Sequence, residues 1–393
     1  MPISFNQIDV SGWKDNPNVA VAISKEIEKV SWEESKFEPF LGRGYDRGLR
    51  AFEVTNTSPC RPRLRPKLEG EGVSGNADFD TNTDNFEVLT QTMYPIVVGN
   101  SIKSEIEHYQ KMNQINFIKE STEGLKTWYR EKKDKNFATA LYNDLTNVVV
   151  CDAADGYKDT TSDLSVSDAT KKVAQGDVLN VKAIKRAIFM AQTGTKYNGK
   201  DAFPIRPLRV SKQNSQGFMV SLNQYAILVD SYGATQLRND PEWKEMQKMD
   251  KRGQEINNLF TGFLGVIDGC PVIDMGIWSR STTGLINSEV SEQDYRNNIN
   301  PQNFQTITPP SYYAGAKAQC MGFLIGASAL IIAGSTKPTL YIDDTADLGR
   351  KTICGIDGVL SIAKGRFGSE NGELSLYHNS DYAVIGIAYS KEA

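Results

Sequence analysis

Residues 220–272 carry three segments in a fixed order: VSLNQYAILVD (220–230), LRNDPEW (237–243) and NLFTGFLGVIDGCPV (258–272). Each has a plain physical reading. Phe218 to Val229 is strand-like, rich in apolar and β-branched side chains. Asp240-Pro241-Glu242-Trp243 is a helix-start signature. It offers a capping carboxylate, proline at the first helical position and an acid facing the positive end of the helix dipole. Gly262, Gly265 and Gly269 supply tight turns, so Val266-Ile267 can run as a strand and the chain can turn again before Val272. These are folding signals, and none brings chemistry with it.

Working upstream, Leu208-Arg209-Val210 reads as a strand, and Val178 to Met190 as a helix with Val181, Ile184, Ala187, Ile188 and Ala191 on one side. Val148 to Asp155 reads as a strand and turn. Residues 101–143 hold the longest helical stretch. Ile102, Ile106, Tyr109, Met112, Ile115, Ile118, Leu125, Trp128 and Tyr129 recur at roughly helical spacing, and Lys and Glu fill the other positions. A helix this long spans a domain.

Residues 46–100 differ in kind. Phe52-Glu53-Val54 starts a strand, and a Pro/Arg segment (Arg61 to Lys67) leads into a tip rich in Gly, Asn, Asp and Thr. Phe86 to Val98 is again rich in strand formers. That pattern predicts a long two-stranded excursion. An isolated hairpin is marginal in water, so this one is expected to rest on a neighbour. Residues 1–45 read as an extended arm with one short helix over Asn18 to Trp32, anchored through Trp13 and Trp32. Downstream, residues 279–316 are polar and aperiodic, a surface insertion, and 320–393 return to short apolar runs punctuated by glycine. The fold class is α+β, without repeats.

Composition narrows the function. With 393 residues the chain exceeds what one compact core usually holds. Its 39% hydrophobic and 23% charged content is that of a globular protein, and a net charge of −4 argues against gripping nucleic acid over its whole surface. A container for nucleic acid needs no such grip. Five scattered cysteines read as reduced thiols, and two histidines, His108 and His378, are few for a metal hydrolase or a triad. The N-terminus lacks signal-peptide character, and the longest apolar run, Met321 to Ala333, is shorter than the roughly 20 residues a bilayer requires. The protein is expected in the cytoplasm.

Candidate chemical motifs fail on their own terms. Asp78, Asp80, Asn82 and Asp84 alternate like a calcium loop, but Thr83 and Leu89 occupy the positions that need glycine and a bidentate glutamate. Gly70, Gly72 and Gly75 give G-x-G-x-x-G among acids with no helix following. Asp343, Asp344 and Asp347 lie beside Arg350 and Lys351, which suits a surface turn better than paired acid–base carboxylates. No G-x-S-x-G elbow is present. No catalytic residue, metal ligand or cofactor is expected. Basic residues cluster at Arg43 to Arg50 and Arg61 to Lys67, where Pro62, Pro66 and Leu64 suggest an extended segment meeting acidic groups on a neighbouring subunit. Trp13, Trp32, Arg63, Arg65, Lys67, Phe79 and Phe86 are the candidate inter-subunit contacts.

In their order, the three opening segments resemble the hallmark of a large family of tailed-phage major capsid proteins with the Hong Kong 97-type (HK97-like) fold. The tail agrees: Gly326-Ala-Ser-Ala329 to Gly334, Asp347-Leu-Gly349, Gly365-Arg-Phe367 and a final strand from Tyr382 to Ala388. Relatives often carry His-Pro where Leu222-Asn223 stands here, and the 279–316 stretch is longer than usual. The resemblance implies an N-terminal arm (1–45), an extended E-loop hairpin (46–100), a peripheral domain (101–144 and 317–393) with a long spine helix, and an axial domain (145–316). It implies homo-pentamers and homo-hexamers forming an icosahedral shell around double-stranded DNA, with no membrane. Scaffolding, portal and decoration proteins are the further expected partners, and assembly would occur in the host bacterial cytoplasm. Some relatives cross-link through an E-loop lysine. Lys67, the only lysine between residues 46 and 100, lies near the loop's base, so no cross-link is expected. Rival readings are an encapsulin-type nanocompartment, a hydrolase using Asp343 and Asp347, and a tail or decoration protein.

Overall fold

The computed structural model describes residues 35, 37–53, 60–64, 72–75, 78, 80, 89–90, 93, 95–104, 114–142, 145–158, 173–194, 196–197, 200–201, 204–209, 213–215, 218–220, 223–250, 263–276, 285–286, 306–307, 319–334, 338–343, 345–366 and 381–391. Strands β1 (Leu41–Gly42), β2 (Leu49–Glu53), β3 (Arg63–Leu64), β4 (Leu89–Thr90) and β5 (Ile96–Lys103) precede helix α1 (Gln114–Tyr142). Then come β6 (Val148–Asp152), β7 (Gly156–Lys158), α2 (Val181–Thr193), β8 (Ala226–Val229), α3 (Ser231–Asn239) and α4 (Pro241–Asp250). The hairpin β9 (Phe263–Ile267)–β10 (Cys270–Asp274) follows, then β11 (Gln319–Ile325), β12 (Leu330–Gly334), β13 (Thr339–Asp343), β14 (Ile353–Lys364) and β15 (Val384–Ser390).

The first and third opening segments become neighbours in a seven-stranded mixed sheet, ordered β9-β10-β8-β11-β15-β6-β7, while the second (237–243) spans the end of α3 and the start of α4. Ile227 of β8 pairs in parallel with Val272 of β10 and antiparallel with Leu324 of β11. Every residue of β8 and β15 is buried, which is why these strands read as continuous apolar runs instead of alternating ones. Helix α2 lays Val181, Ala183, Ile184, Ala187, Ile188 and Ala191 into the core, starting where Asn180 Oδ1 accepts the Ala183 N–H.

The second sheet has six strands, ordered β1-β2-β12-β14-β13, with β5 also paired to β14. Along β14, Cys354 and Ile356 are buried while Ile353, Gly355 and Asp357 are half-buried, so one face meets α1 and the other is partly covered. Ile118 and Leu125 of α1 close on Leu340, Cys354 and Ile356, with Ile102, Phe117 and Trp128 packed around them.

The expected helix over 101–143 needs correction. Residues 101–103 continue β5, because the eight-residue ladder from Ile96 to Lys103 runs antiparallel to Leu360–Ile353. Ile102 faces the core from a strand, and a partner some 250 positions away in sequence overrides the local helical period. The described helix starts at Gln114 and ends at Tyr142. Likewise α2 begins at Val181, three residues after the expected start, since Asn180 caps it. The expected arm helix at Asn18 to Trp32 lies outside the described residues.

The two sheets are joined at a seam built from the tail motifs. The chain leaves the first sheet by β11, turns through Ser328 and enters the second by β12. It returns through Gly365 and Arg366 to Asp381 at the head of β15. Gly365 N–H donates to Ala329 O and Tyr382 N–H to Gly365 O, both at 2.9 Å. A Cβ on Gly365 would lie 2.5 Å from Ser328 O, so glycine is required by close approach. At the seam, Asp381 Oδ1 meets Lys364 Nζ at 2.7 Å and Arg366 Nε at 3.2 Å, and Oδ2 accepts the Thr146 N–H.

Candidate subunit interface

The helix-start motif serves two helices at once. Asp240 Oδ1 accepts the Glu242 N–H at 2.9 Å, capping α4, while its Oδ2 accepts the Val181 N–H of α2 at the same distance. One carboxylate thus satisfies orphan donors on two helices. Glu242 then reaches Lys185 of α2 at 2.5 Å, and that bond holds the lysine above its ordinary pKa. Trp243 is buried behind them. Asp230 caps α3 through Gly233 N and accepts the Tyr389 hydroxyl inside the core, where burial and the Asp230 charge push the phenol well above its usual range.

Residues 60–64 pair with residues 89–93 in a short two-stranded foot. Cys60 and Met93 exchange backbone bonds at 2.8 Å, and Arg63 pairs with Thr90, Leu64 with Leu89. Leu64 and Met93 are fully buried, whereas Arg61 and Arg63 face solvent. The Arg-Pro-Arg-Leu spacing therefore sorts into an outward cationic edge and an inward apolar one. Arg50 fixes this foot to the second sheet. Its guanidinium lies 3.8 Å from the Tyr45 ring centroid and 4.5 Å from that of Phe52, and Nη1 donates to Arg63 O at 3.0 Å.

Of the predicted contact residues, Arg63 is seen, exposed, on this foot. Trp13, Trp32, Arg65, Lys67, Phe79 and Phe86 lie outside the described residues, as do His108 and His378. The remaining motifs are described in part. Asp78 Oδ1 accepts the Asp80 N–H in an exposed turn. Asp347 is spent on Arg350 at 2.8 Å and Lys351 at 3.5 Å, and the Arg350 bond holds its carboxyl below the ordinary range, the opposite of what a general acid needs. Among the described residues no three His, Cys, Asp or Glu side chains converge as metal ligands, and no helix is long and apolar enough to cross a membrane. None of the five cysteines forms a disulfide, and four are buried.

Sequence reading missed the exposed apolar side chains. Among the described residues these are Val97, Phe189, Val266, Tyr341 and Leu348. Phe189 is partly covered by Arg186, whose guanidinium also lies over Tyr157. Val97, Tyr341 and Leu348 all belong to the second sheet or its β13–β14 turn. The signal for Leu348 was present in Asp347-Leu348-Gly349, a turn pattern enclosing a leucine, but exposure cannot be read from it.

A long helix backing one sheet, a two-stranded foot held to that sheet by Arg50 and a seam to a second sheet make an α+β fold of the HK97-like class. No protein-family model matches the chain. The chain is 39% identical over 402 residues to the major structural protein ORF14 of Helicobacter pylori bacteriophage KHP30, spanning 99% of both sequences. It is similar to the acid-stable capsid structure of the same phage, at 39% identity and TM-score 0.68, covering 98% of this chain and 100% of that one. It is similar also to the head structure of Helicobacter pylori bacteriophage KHP40, at 40% identity and TM-score 0.69, with the same coverage. The chain belongs to the family of bacteriophage major capsid proteins.

Proposed function

We propose that this protein is the repeating subunit of a phage head, assembling as pentamers and hexamers into an icosahedral shell around double-stranded DNA. The observation that carries the reading is likeness along the whole chain, in sequence and in fold, to phage head proteins. The physical features agree. Head-to-tail contacts between unlike patches close into rings, and many weak overlaps between rings sum to a tight lattice.

Within this reading, residues 1–45 are the N-terminal arm and 46–100 the E-loop, with Arg61 and Arg63 on the cationic edge offered to acidic groups of a neighbour. Residues 101–144 and 317–393 form the peripheral domain around α1 and the second sheet, and 145–316 the axial domain. Trp13, Trp32, Arg65, Lys67, Phe79 and Phe86 remain contact candidates. The role is structural. The net charge of −4 suits a wall that encloses DNA without sequence-specific grip. Scaffolding, portal and decoration proteins are its further partners, and assembly takes place in the host cytoplasm before the shell becomes part of the virion.

Negative-stain electron microscopy of the recombinant chain, with size-exclusion chromatography alongside, tests the proposal. Rings, tubes or closed shells are expected. A small discrete oligomer that stays small at high concentration, with or without the proteins encoded beside it, would reject it.

A further inference from the structure

Residues 46–100 carry two charge blocks of opposite sign. From Leu68 to Glu87 the chain has six acids, Glu69, Glu71, Asp78, Asp80, Asp84 and Glu87, and no lysine, arginine or histidine. The root is the reverse, with Arg61, Arg63, Arg65 and Lys67 standing close together and no acid between them. The whole chain has a net charge of only −4, so this segregation is local to the loop.

The described part of the root presents its cations outward. Arg61 and Arg63 are exposed on the foot, while Pro62 and Leu64 are buried behind them. Arg50 Nη1 donates to Arg63 O at 3.0 Å, and the Arg50 guanidinium lies 3.8 Å from the Tyr45 ring centroid, so the foot abuts the loop between β1 and β2. That loop adds exposed Arg47. Arg47 O and Arg206 O accept the consecutive N–H groups of Ser328 and Ala327 at 2.6 and 2.9 Å, which brings exposed Arg206 alongside. Asp46 pairs with Arg206 at 2.6 Å. Among the described residues no carboxylate pairs with Arg47, Arg61 or Arg63.

We propose that this arginine surface receives the acidic tip, residues 69–87, of a second copy of this chain. The inference rests on the shell reading and names the acidic partner of the cationic edge. Three observations favour this occupant. The charges are complementary, and every copy carries both members, as a head-to-tail contact between unlike patches requires. The loop has the reach, since about a dozen residues on each side beyond Leu64 and Leu89 can extend about 40 Å. Where the tip is described it stands clear of its own subunit: Asp78 and Asp80 are exposed, and a Cβ on Gly72 or Gly75 would meet no atom within 4 Å. Nucleic-acid phosphates would also suit the arginines, but they leave the six acids of the same loop without a role. Exposed ion pairs are individually weak, and repetition at every lattice position makes them count.

Charge reversal in the full-length chain tests the contact. The root variant is Arg47→Glu/Arg61→Glu/Arg63→Glu, and the tip variant is Glu71→Lys/Asp78→Lys/Asp80→Lys/Asp84→Lys. Each should keep the wild-type urea midpoint, yet need more than about tenfold higher concentration to form shells or tubes, because like charges now meet. Arg61→Gln/Arg63→Gln, which only removes charge, should shift assembly in the same direction if a reversal disturbs folding. An equimolar mixture of the folded root and tip variants should assemble near the wild-type concentration, since each tip then finds a root of opposite sign on the other chain. A mixture that stays unassembled while wild type assembles overturns the contact between copies, and so does normal assembly of each variant alone. Both results leave the shell reading intact. Root-variant shells that form normally but retain less double-stranded DNA would assign the arginines to nucleic acid instead. A wild-type chain that forms no higher assembly, even when co-expressed with the proteins encoded beside it, would overturn both readings.

Discussion

Lys364 and Asp381 form an ion pair at 2.7 Å across the seam between the sheets, with side chains 4% and 0% exposed. Arg366 adds a second cation at 3.2 Å, and Thr146 donates its backbone N–H to the other carboxylate oxygen. A buried anion between two cations is stable only while the set is complete. Asp381→Ala leaves two sealed cations without this counter-charge, and the expected loss is about 3–5 kcal/mol, read as a lower urea midpoint. Lys364→Met should cost less, because Arg366 still faces the carboxylate. Equal losses from the two variants would show that the seam does not depend on charge balance.

Asp240 supports two helix starts at once, so its removal should cost more than an ordinary cap. Asp240→Ala exposes the Glu242 and Val181 amides to an unsatisfied state. The expected loss is about 2 kcal/mol, the upper end for a capping residue. Asp240→Asn, which keeps acceptor capacity on one oxygen, should recover about half of it. Chemical denaturation of the three proteins is the check.

The legibility of the two sites differs for a physical reason. Asp240-Pro241-Glu242-Trp243 could be read because capping is decided within four residues. The partner of Asp240 on α2 could not, being 59 positions away. The Arg61–Leu64 alternation was visible as composition, and its outward and inward sorting followed once β3 paired with β4. Residues 101–103 were misread as helix because β14, which makes them a strand, comes some 250 positions later. The Lys364–Asp381 pair was invisible for another reason: the two lie close in sequence, but nothing near either residue announces the other. Leu348 was hidden differently: its turn was legible, but a leucine is by default assigned to a core.

Acid should act on the link between β7 and the approach to α2. Burial alone would raise the Asp177 carboxyl, yet bonds from Lys158 at 2.7 Å and from the Ala174 and Ala153 amides outweigh it and hold the group below its ordinary value. The folded value therefore lies under the unfolded one of about 3.9. The contribution of the ionised carboxylate is complete above that pH and is lost as pH falls through the folded value. Asp177→Asn should destabilise the subunit at neutral pH, and its deficit against wild type should shrink as pH falls below about 4. Urea midpoints measured across that window decide it, and a constant deficit would assign the effect to geometry instead of charge.

Arg50 is the residue on which the two-stranded foot turns, because it is 8% exposed and touches three separate segments. Tyr45 and Phe52 lie against its guanidinium, and Arg63 O accepts from its Nη1. Arg50→Lys keeps the charge but loses the planar stack and its fixed donor fork. Arg50→Met keeps apolar packing but leaves Arg63 O without that donor. Both should loosen the foot locally, with backbone exchange at Cys60 and Met93, which bond each other across the ribbon, accelerated by about tenfold for a loss near 1.4 kcal/mol. Exchange in β15, whose residues are all buried, should stay unchanged. If β15 amides accelerate equally, Arg50 supports the whole fold, and the foot has no independent stability for it to set.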